Sequence, residues 1–292
     1  MSERVAVLGA GTMGHGIAQV AAQSGFETIL FDVTEDLAGR GAERVLANLE
    51  AGVKRGKVTP EARDATLSRL TTSHDLAAAV AGCALVVEAA PERIDVKRQI
   101  FETISAAAPD TAILATNTSS LSVTEIAACA KGPERVVGMH FFNPPYVLKL
   151  LEIVRAQQTS DATVEKVRAI GERLGREMIV VSDSPGFATS RLGLVIGLEA
   201  MRMLQEGVGS VLDIDRAMEL GYRHPMGPLA LTDLVGLDVR LDIAEYLHRE
   251  LGGEQFRAPT ILRKLVRAGK LGRKTGEGFY RWDSSGGREP AL

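Results

Sequence analysis

The stretch Val5-Ala6-Val7-Leu8-Gly9-Ala10-Gly11-Thr12-Met13-Gly14 decides how the rest of the chain is read. Its first four residues form a continuous apolar run, short enough to suit a strand buried on both faces. The run breaks into Gly-x-Gly-x-x-Gly, and a helical pattern follows from about Met13 to Ser24. A second short run, Glu27–Phe31, ends at Asp32, 18 residues past Gly14. The glycine spacing alone is a weak signal. With a strand before it, a helix after it and an acidic residue at the end of the next strand, it is the fingerprint of a dinucleotide-binding βαβ unit. Gly9 permits the tight turn, Gly11 lets the backbone approach a pyrophosphate, and Gly14 lets the helix pack close to the strand. The helix N-terminus supplies N–H groups and a positive dipole end for phosphates. The candidate cofactor contacts are therefore Leu8, Gly9, Ala10, Gly11, Thr12, Met13, Gly14 and Asp32. The Asp32 carboxylate suits a ribose diol, at about 1.5–3 kcal/mol per charged hydrogen bond. It also repels a 2′-phosphate, and Val33 and Thr34 bring no arginine to reverse that preference, so the expected cofactor is NAD rather than NADP.

Outward from this unit, strands and helices alternate. Helices are expected over about Leu37 to Gly56 and Glu61 to Leu70, Val96–Ala107 and Val164–Leu174. Strands are expected at Ala84–Glu88, Ala112–Ala115, Val136–His140, Leu150–Val154 and Met178–Val181. Continuous apolar strands between helices argue for a mostly parallel sheet covered on both faces. The pair joined through Asn143-Pro144-Pro145 is too close for a crossover helix and should be antiparallel. Beyond Ser182-Asp183-Ser184-Pro185-Gly186 no strand of comparable strength follows. Arg191–Glu206, Val211–Leu220, Ala230–Leu251 (in one or two pieces) and Pro259–Ala268 read as helices. The expected fold is α/β: a Rossmann-type domain over 1–183, then an all-α domain over 184–292. Ser284–Leu292 reads as a loose tail.

The bulk properties narrow the function. The chain has 292 residues, 45% of them apolar, enough for two ordinary domains with real cores. With 34 basic and 37 acidic residues the net charge is −3, which leaves no electrostatic footprint for nucleic acid or an anionic membrane. Aromatics at 4% are too few for base-stacking platforms. Cys83 and Cys129 have neither metal-ligand spacing nor a disulfide framework. Met1-Ser2-Glu3-Arg4 runs straight into the first strand with no cleavable signal, and no apolar stretch spans a bilayer. A cytoplasmic protein without a metal is expected.

His140 stands at the end of a buried strand in Val137-Gly138-Met139-His140-Phe141-Phe142-Asn143-Pro144-Pro145, at the sheet edge where ligands sit. Glu152, twelve residues on, lies inside the apolar run Leu148–Val154, where a carboxylate is costly unless paired. A turn at Asn143-Pro144-Pro145 would bring the two side by side as a base and its orienting carboxylate. Spacing leaves this reading and that of two packed core residues equally open.

Longer motifs bear on the choice. GAGTMG (9–14), VEAAPE (87–92) with Lys97, NTSSL (117–121), HFFNPP (140–145), LLE (150–152), SPGF (184–187), HPMGP (224–228) and GRKTGEGFY (272–280) together cover nearly the whole chain. In these the sequence resembles the 3-hydroxyacyl-CoA dehydrogenase family, particularly its short bacterial 3-hydroxybutyryl-CoA type. The resemblance implies NAD-dependent oxidation of an L-3-hydroxyacyl-CoA thioester, with His140 as general base, Glu152 orienting it and Ser119 beside substrate and nicotinamide. It also implies cofactor contacts from Glu92, Lys97, Asn117, Asn143 and Lys274. Lys54, Arg55 and Lys57 fall where the family holds the CoA adenine and 3′-phosphate, though a solvated helix end accounts for them equally well. Family members commonly read PGFxxNR after the domain boundary. Here Ser190 replaces that asparagine in Pro185-Gly186-Phe187-Ala188-Thr189-Ser190-Arg191, and it is expected still to line the substrate pocket. The resemblance further implies a homodimer, and the apolar residues Leu192, Leu194, Val195, Ile196 and Leu198 call for a partner surface.

His74 and His248 read as surface or capping residues, His15 as a plain helix position, His224 as part of a structural corner, and Met201 and Met203 as core or interface. Competing readings are a related dehydrogenase of a non-CoA substrate, of the L-gulonate or carnitine type, and a non-catalytic NAD-binding protein. A 6-phosphogluconate-type enzyme would want a lysine in the helix after the boundary, and Pro185–Glu206 has none.

Overall fold

The computed structural model describes residues 3–292. Met1 and Ser2, the first two residues of the start read above as having no cleavable signal, lie outside the described residues. The chain divides into two compact units, Met1–Ser184 and Pro185–Leu292.

The first unit is built on eight strands: β1 (Arg4–Leu8), β2 (Glu27–Phe31), β3 (Leu70–Ser73), β4 (Leu85–Glu88), β5 (Ile113–Thr116), β6 (Val136–Phe141), β7 (Leu150–Arg155) and β8 (Glu177–Ser182). They lie in the order β3-β2-β1-β4-β5-β6-β7-β8. Neighbours from β3 to β6 are parallel, and the order 3-2-1-4-5-6 is that of a doubly wound dinucleotide-binding sheet. Only residues 142–149 separate β6 from β7, too few for a crossover, and β7 returns antiparallel to β6. β8, reached through the helix Asp161–Arg173, is again parallel to β7. Val5, Val7, Leu85, Val87, Ile113, Ala115, Val137 and Met139 supply the core on one face, packed against Ile17, Val20 and Ala21 of the first helix. A chain order that alternates strand and helix thus brings the carboxyl ends of β1, β4 and β5 together. Ala89 N–H donates to Leu8 O at 2.7 Å, and Asn117 N–H to Glu88 O at 2.8 Å.

In the first unit the pattern reading missed β3 and the short helices Leu76–Val80 and Val123–Ala127. The helix expected to reach Leu70 ends at Leu67, and Leu70 opens β3, followed by the helix Leu76–Val80. β3 is a four-residue, half-exposed edge strand paired on one side only, so it carries no apolar run to announce it.

The second unit comprises the helices Thr189–Gln205, Val211–Gly221, Pro228–Val235, Leu237–Leu251 and Thr260–Arg267. Gly236, at φ 104°, divides what the sequence left as one or two helices. A small hairpin of β9 (Tyr280–Trp282) and β10 (Arg288–Pro290) is added to this helical fold, so the tail read as loose is paired as a strand. Two buried carboxylates bind the unit together. Asp215 accepts the N–H groups of Leu229 and Ala230 at 2.8 and 3.0 Å and the Tyr280 hydroxyl at 2.7 Å. Asp233 accepts from Phe279 N, Tyr280 N and Trp282 Nε1, each at 2.9 Å. Burial pushes both carboxyls above their usual range, and these hydrogen bonds oppose it. A Cβ at Gly227 would lie 2.2 Å from Asp215, and one at Gly278 2.2 Å from Asp233. The HPMGP and GEGFY motifs are thereby explained as the two halves of a clasp. No described helix is long and apolar enough to cross a membrane.

Candidate active site

The glycine loop leaves β1 with three different demands on its glycines. Gly9 has φ 99°, and a Cβ there would lie 2.7 Å from Ala89 O. A Cβ at Gly14 would lie 1.7 Å from Gly9 O. At Gly11 a Cβ would meet nothing within 4 Å, which leaves the backbone open to a ligand. No side chain caps the first helix, Gly14–Gln23, and its first turn carries no acidic residue, so its N-terminal dipole end stays available for an anion. Asp32 Oδ2 accepts the Ala10 N–H at 2.8 Å and Oδ1 accepts the Val33 N–H at 2.7 Å. Each oxygen keeps a lone pair for a ribose hydroxyl. These features fit a dinucleotide: an open backbone, an uncapped helix end and a held carboxylate.

Arg40 and Arg44, on the helix Glu35–Lys54, line the small pocket formed with Ala10, Gly11, Asp32 and Leu37. The sequence reading looked for arginine only next to Asp32 and missed both. One helical turn separates them, so they share a face, a signal that was present in the sequence. Arg40 is paired with Asp36.

At the far side of the same sheet edge, His140 and Glu152 are direct cross-strand partners in the β6–β7 register. His140 Nδ1 lies 2.7 Å from Glu152 Oε2. His140 is 5% exposed and Glu152 fully buried. An ionised carboxylate can only accept, so the proton of that bond sits on Nδ1 and the ring's other nitrogen, Nε2, carries the basic lone pair. The Phe142 ring stands 4.6 Å from the imidazole, centroid to centroid. The turn that makes this pairing rests on the first helix, since Gly16 leaves room for the Pro145 ring, which a Cβ would meet at 2.8 Å. His15, beside it, bonds the Gly11 carbonyl through Nδ1 at 2.6 Å.

Ser119 is half-buried in the loop after β5, and that loop is held from beneath. Glu92 Oε1 accepts from Thr118 Oγ1 at 2.5 Å, Ser119 N at 2.9 Å and Ser120 N at 3.3 Å. Asn117, 8% exposed, accepts the Phe141 N–H at 2.9 Å, which ties the Ser119 loop to the end of the His140 strand. Lys97, expected among the cofactor contacts, is 1% exposed. Its ammonium lies 2.7 Å from Glu88 Oε1 and 3.4 Å from Glu92 Oε2. Glu88, a residue the sequence reading did not single out, is fully buried and also accepts Ala90 N and Thr116 Oγ1, each at 2.6 Å. Nothing in local spacing points to this strut, because its members come from two strands, a loop and a helix.

Asn143 is exposed in the β6–β7 turn. Lys54 ends the helix Glu35–Lys54. Arg55 caps it, its Nε 3.0 Å from Ala51 O, and Lys57 follows in an exposed turn. Ser190 and Lys274 belong to the second unit. Ser190 lies half-buried in the first turn of the helix Thr189–Gln205, and the Lys274 ammonium is held by Asp238 at 2.6 Å. His248 Nδ1 bonds Gly253 O at 3.2 Å, a capping position.

A dinucleotide loop and a histidine–carboxylate pair on the carboxyl edge of one sheet define a class, the nicotinamide-dependent dehydrogenases. Residues 4–184 match the family model for the 3-hydroxyacyl-CoA dehydrogenase NAD binding domain, and residues 186–282 the model for the C-terminal domain of the same family. A probable 3-hydroxybutyryl-CoA dehydrogenase of Bacillus subtilis is 42% identical over 96% of this chain and 98% of its own. The 3-hydroxybutyryl-CoA dehydrogenase of Bradyrhizobium diazoefficiens is 44% identical over 95% of this chain and 94% of its own. The crystal structure of (S)-3-hydroxybutyryl-CoA dehydrogenase from Ralstonia eutropha superposes with a TM-score of 0.92 at 38% identity, covering 97% of this chain and all of that one. The chain belongs to the 3-hydroxyacyl-CoA dehydrogenase family.

Proposed function

We propose that the protein interconverts L-3-hydroxyacyl-CoA and 3-oxoacyl-CoA with NAD, on short acyl chains, with His140 as the proton-transferring group. The observation that carries this reading is the buried 2.7 Å contact of His140 Nδ1 with Glu152. Oxidising a secondary alcohol requires removal of the hydroxyl proton as the hydride leaves carbon. His140 takes that proton at Nε2. Glu152 fixes the tautomer and stabilises the imidazolium that forms. The nicotinamide, when bound, accepts the hydride. Ser119 donates to the substrate oxygen from a loop held by Glu92 and Asn117. In the reverse direction the imidazolium returns the proton to the carbonyl oxygen.

Residues 1–183 act in this reading as the NAD-binding domain. Asp32 takes the adenosine ribose, and Asn117, Asn143, Glu92 and Lys97 serve the nicotinamide side, Lys97 through its hold on Glu92. Lys54, Arg55 and Lys57 meet the phosphates of CoA. Residues 184–292 form the substrate and dimerisation domain, with Ser190 toward the acyl group and Lys274 toward the cofactor. The free thiols Cys83 and Cys129 suit a cytoplasmic protein.

The test is the loss of NADH absorbance with acetoacetyl-CoA, run beside NADPH and beside free acetoacetate. Turnover of the thioester alone, selective for NADH, is expected. Turnover of the free acid with none of the thioester would move the reading to a non-CoA hydroxy substrate.

A second copy of the chain is the proposed partner. Leu192, Leu220 and Tyr222 are 65%, 79% and 76% exposed. An apolar groove of about 320 Å³, lined by Val195, Ile196, Met203, Ile214 and Met218 among others, opens beside the helix Thr189–Gln205. Such apolar surface on a small helical unit marks an interface. Sedimentation at micromolar concentration is expected to give a dimer, and a stable monomer would contradict this proposal.

A further inference from the structure

Two carboxylates grip the serine loop, one at each end. Glu92 accepts from Thr118 Oγ1 and from the N–H groups of Ser119 and Ser120. At the other end Asp183 Oδ2 accepts the Ser122 hydroxyl at 2.8 Å and the Thr124 N–H at 2.7 Å. Ser122 is itself the N-cap of the short helix Val123–Ala127, and its hydroxyl oxygen accepts the Glu125 N–H at 3.2 Å. One carboxylate oxygen therefore fixes both the cap and the first turn of the helix that ends the loop. Hydrogen bonds to an ionised acceptor are about twice as strong as neutral ones. The helix has little freedom of its own. Val123 and Ile126 are fully buried. Val123 fills the space left by Gly138 of β6, where a Cβ would lie 3.2 Å from its Cγ2. Asn117 accepts the Phe141 N–H at 2.9 Å, so both ends of the loop are set against the strand of His140, with Ser119 between them.

Asp183 holds the loop from far along the chain, 61 residues beyond Ser122. Its N–H donates to Arg155 O at 2.9 Å, which carries the β7–β8 pairing one residue past Ser182. Ser184 alone separates it from the second unit, Pro185–Leu292. The sheet makes use of the Asp183 backbone, and its side chain serves the loop. Thr124 has further support, since its Oγ1 accepts the Gln157 N–H at 3.1 Å and its carbonyl accepts Gln158 Nε2 at 3.3 Å. Loss of the Asp183 carboxylate should therefore leave the helix on the sheet and release the loop at Ser122.

We propose that Asp183 is a positioning residue for Ser119: it fixes the downstream end of the serine loop from the point where the chain leaves the sheet for the second unit. This rests on the proposed role of Ser119 as donor to the substrate oxygen. The demand on that donor is steep, because a displacement of about 1 Å at a reacting centre can cost about 100-fold in rate. A residue that acts through Ser119 changes kcat. It should leave NADH affinity within a few-fold of the wild type, since the glycine loop and Asp32 follow other strands, β1 and β2.

The experiment is a double-variant cycle, read in kcat with acetoacetyl-CoA and NADH and in NADH affinity by fluorescence. Asp183→Ala is expected to lower kcat by about 10- to 100-fold with NADH affinity nearly unchanged. Asp183→Asn should recover most of the rate, because its amide oxygen can accept the same two hydrogen bonds. In a Ser119→Ala protein, Asp183→Ala should cost no more than about twofold further, since residues that act as a unit are not additive. A merely structural role would instead multiply with the loss from Ser119→Ala, which would overturn the proposal and leave the proposed function standing. Wild-type kcat in Asp183→Ala would overturn it as well. Wild-type kcat in Ser119→Ala would overturn the role of Ser119 and the proposal together. Should Asp183→Ala fail to fold, Ser122→Ala removes the loop's side of the same hydrogen bond, and its cycle with Ser119→Ala decides in the same way.

Discussion

His140→Gln is expected to lower kcat by about 10²- to 10⁴-fold, the range of a positioned general base. The affinity for NADH should stay within a few-fold of the wild type. Glutamine is chosen because its amide NH₂ can still donate to Glu152, whose carboxylate is fully buried and would be costly to leave alone. The fold should therefore survive while the basic lone pair is lost. Glu152→Gln tests the other half. It keeps the shape of the site but replaces the charge that stabilises an imidazolium, so kcat should fall again. If the pair works as one unit, the double variant should be little worse than His140→Gln alone. Steady-state kinetics with acetoacetyl-CoA and NADH binding by fluorescence read both effects. His140→Gln with most of its turnover intact would take the base elsewhere. Independent, multiplying losses would mean that Glu152 acts on something other than the ring.

The parts of this site that could be read from sequence share a property: each is fixed by neighbours close along the chain. The glycine loop is a strand, a turn and a helix in succession, and Asp32 follows one strand later. His140 and Glu152 are joined by a turn of residues 142–149, so an antiparallel return places them opposite one another in the observed register. The helical domain announced itself by period, and the boundary by Ser184-Pro185-Gly186. What sequence hid depends on distant contacts or lacks a pattern. β3, Leu70–Ser73, is a polar edge strand with one neighbour. Arg40 and Arg44 reach the Asp32 pocket only because their helix packs over the loop, with Gly41 against Ala10. The tail strand Arg288–Pro290 has nothing apolar to mark it and depends on pairing with Tyr280–Trp282. Asp215 and Asp233 look like surface residues of helices until the backbone groups of 229–230 and 279–280 are brought to them. Arg240 reads as an ordinary helical arginine, and only its burial makes it unusual.

Lys97→Met is expected to destabilise the protein by about 3–5 kcal/mol, the cost of leaving half of a buried ion pair alone. Its ammonium is the counter-charge of Glu88, 2.7 Å away, and neither side chain is more than 1% exposed. Two hydrogen bonds to Glu88, from Ala90 N and Thr116 Oγ1, would remain, but they do not replace a charge. Removing both charges should be far milder. Glu88→Leu with Lys97→Met substitutes apolar volume for the pair, and such exchanges are often close to neutral. Denaturant unfolding with an unchanged m-value is the measure, with the double variant recovering most of the loss. The site should report the change separately. Lys97 also approaches Glu92 at 3.4 Å, and Glu92 holds the backbone of Ser119 and Ser120. The double variant, though stable, is therefore expected to keep a raised KM for NADH, because Glu92 has lost its neighbouring cation while still exposed to solvent. A single variant losing less than about 1 kcal/mol would mean that the pair behaves like a surface salt bridge. A double variant with wild-type kinetics would reduce the strut to a packing feature and leave Glu92 to organise the serine loop unaided.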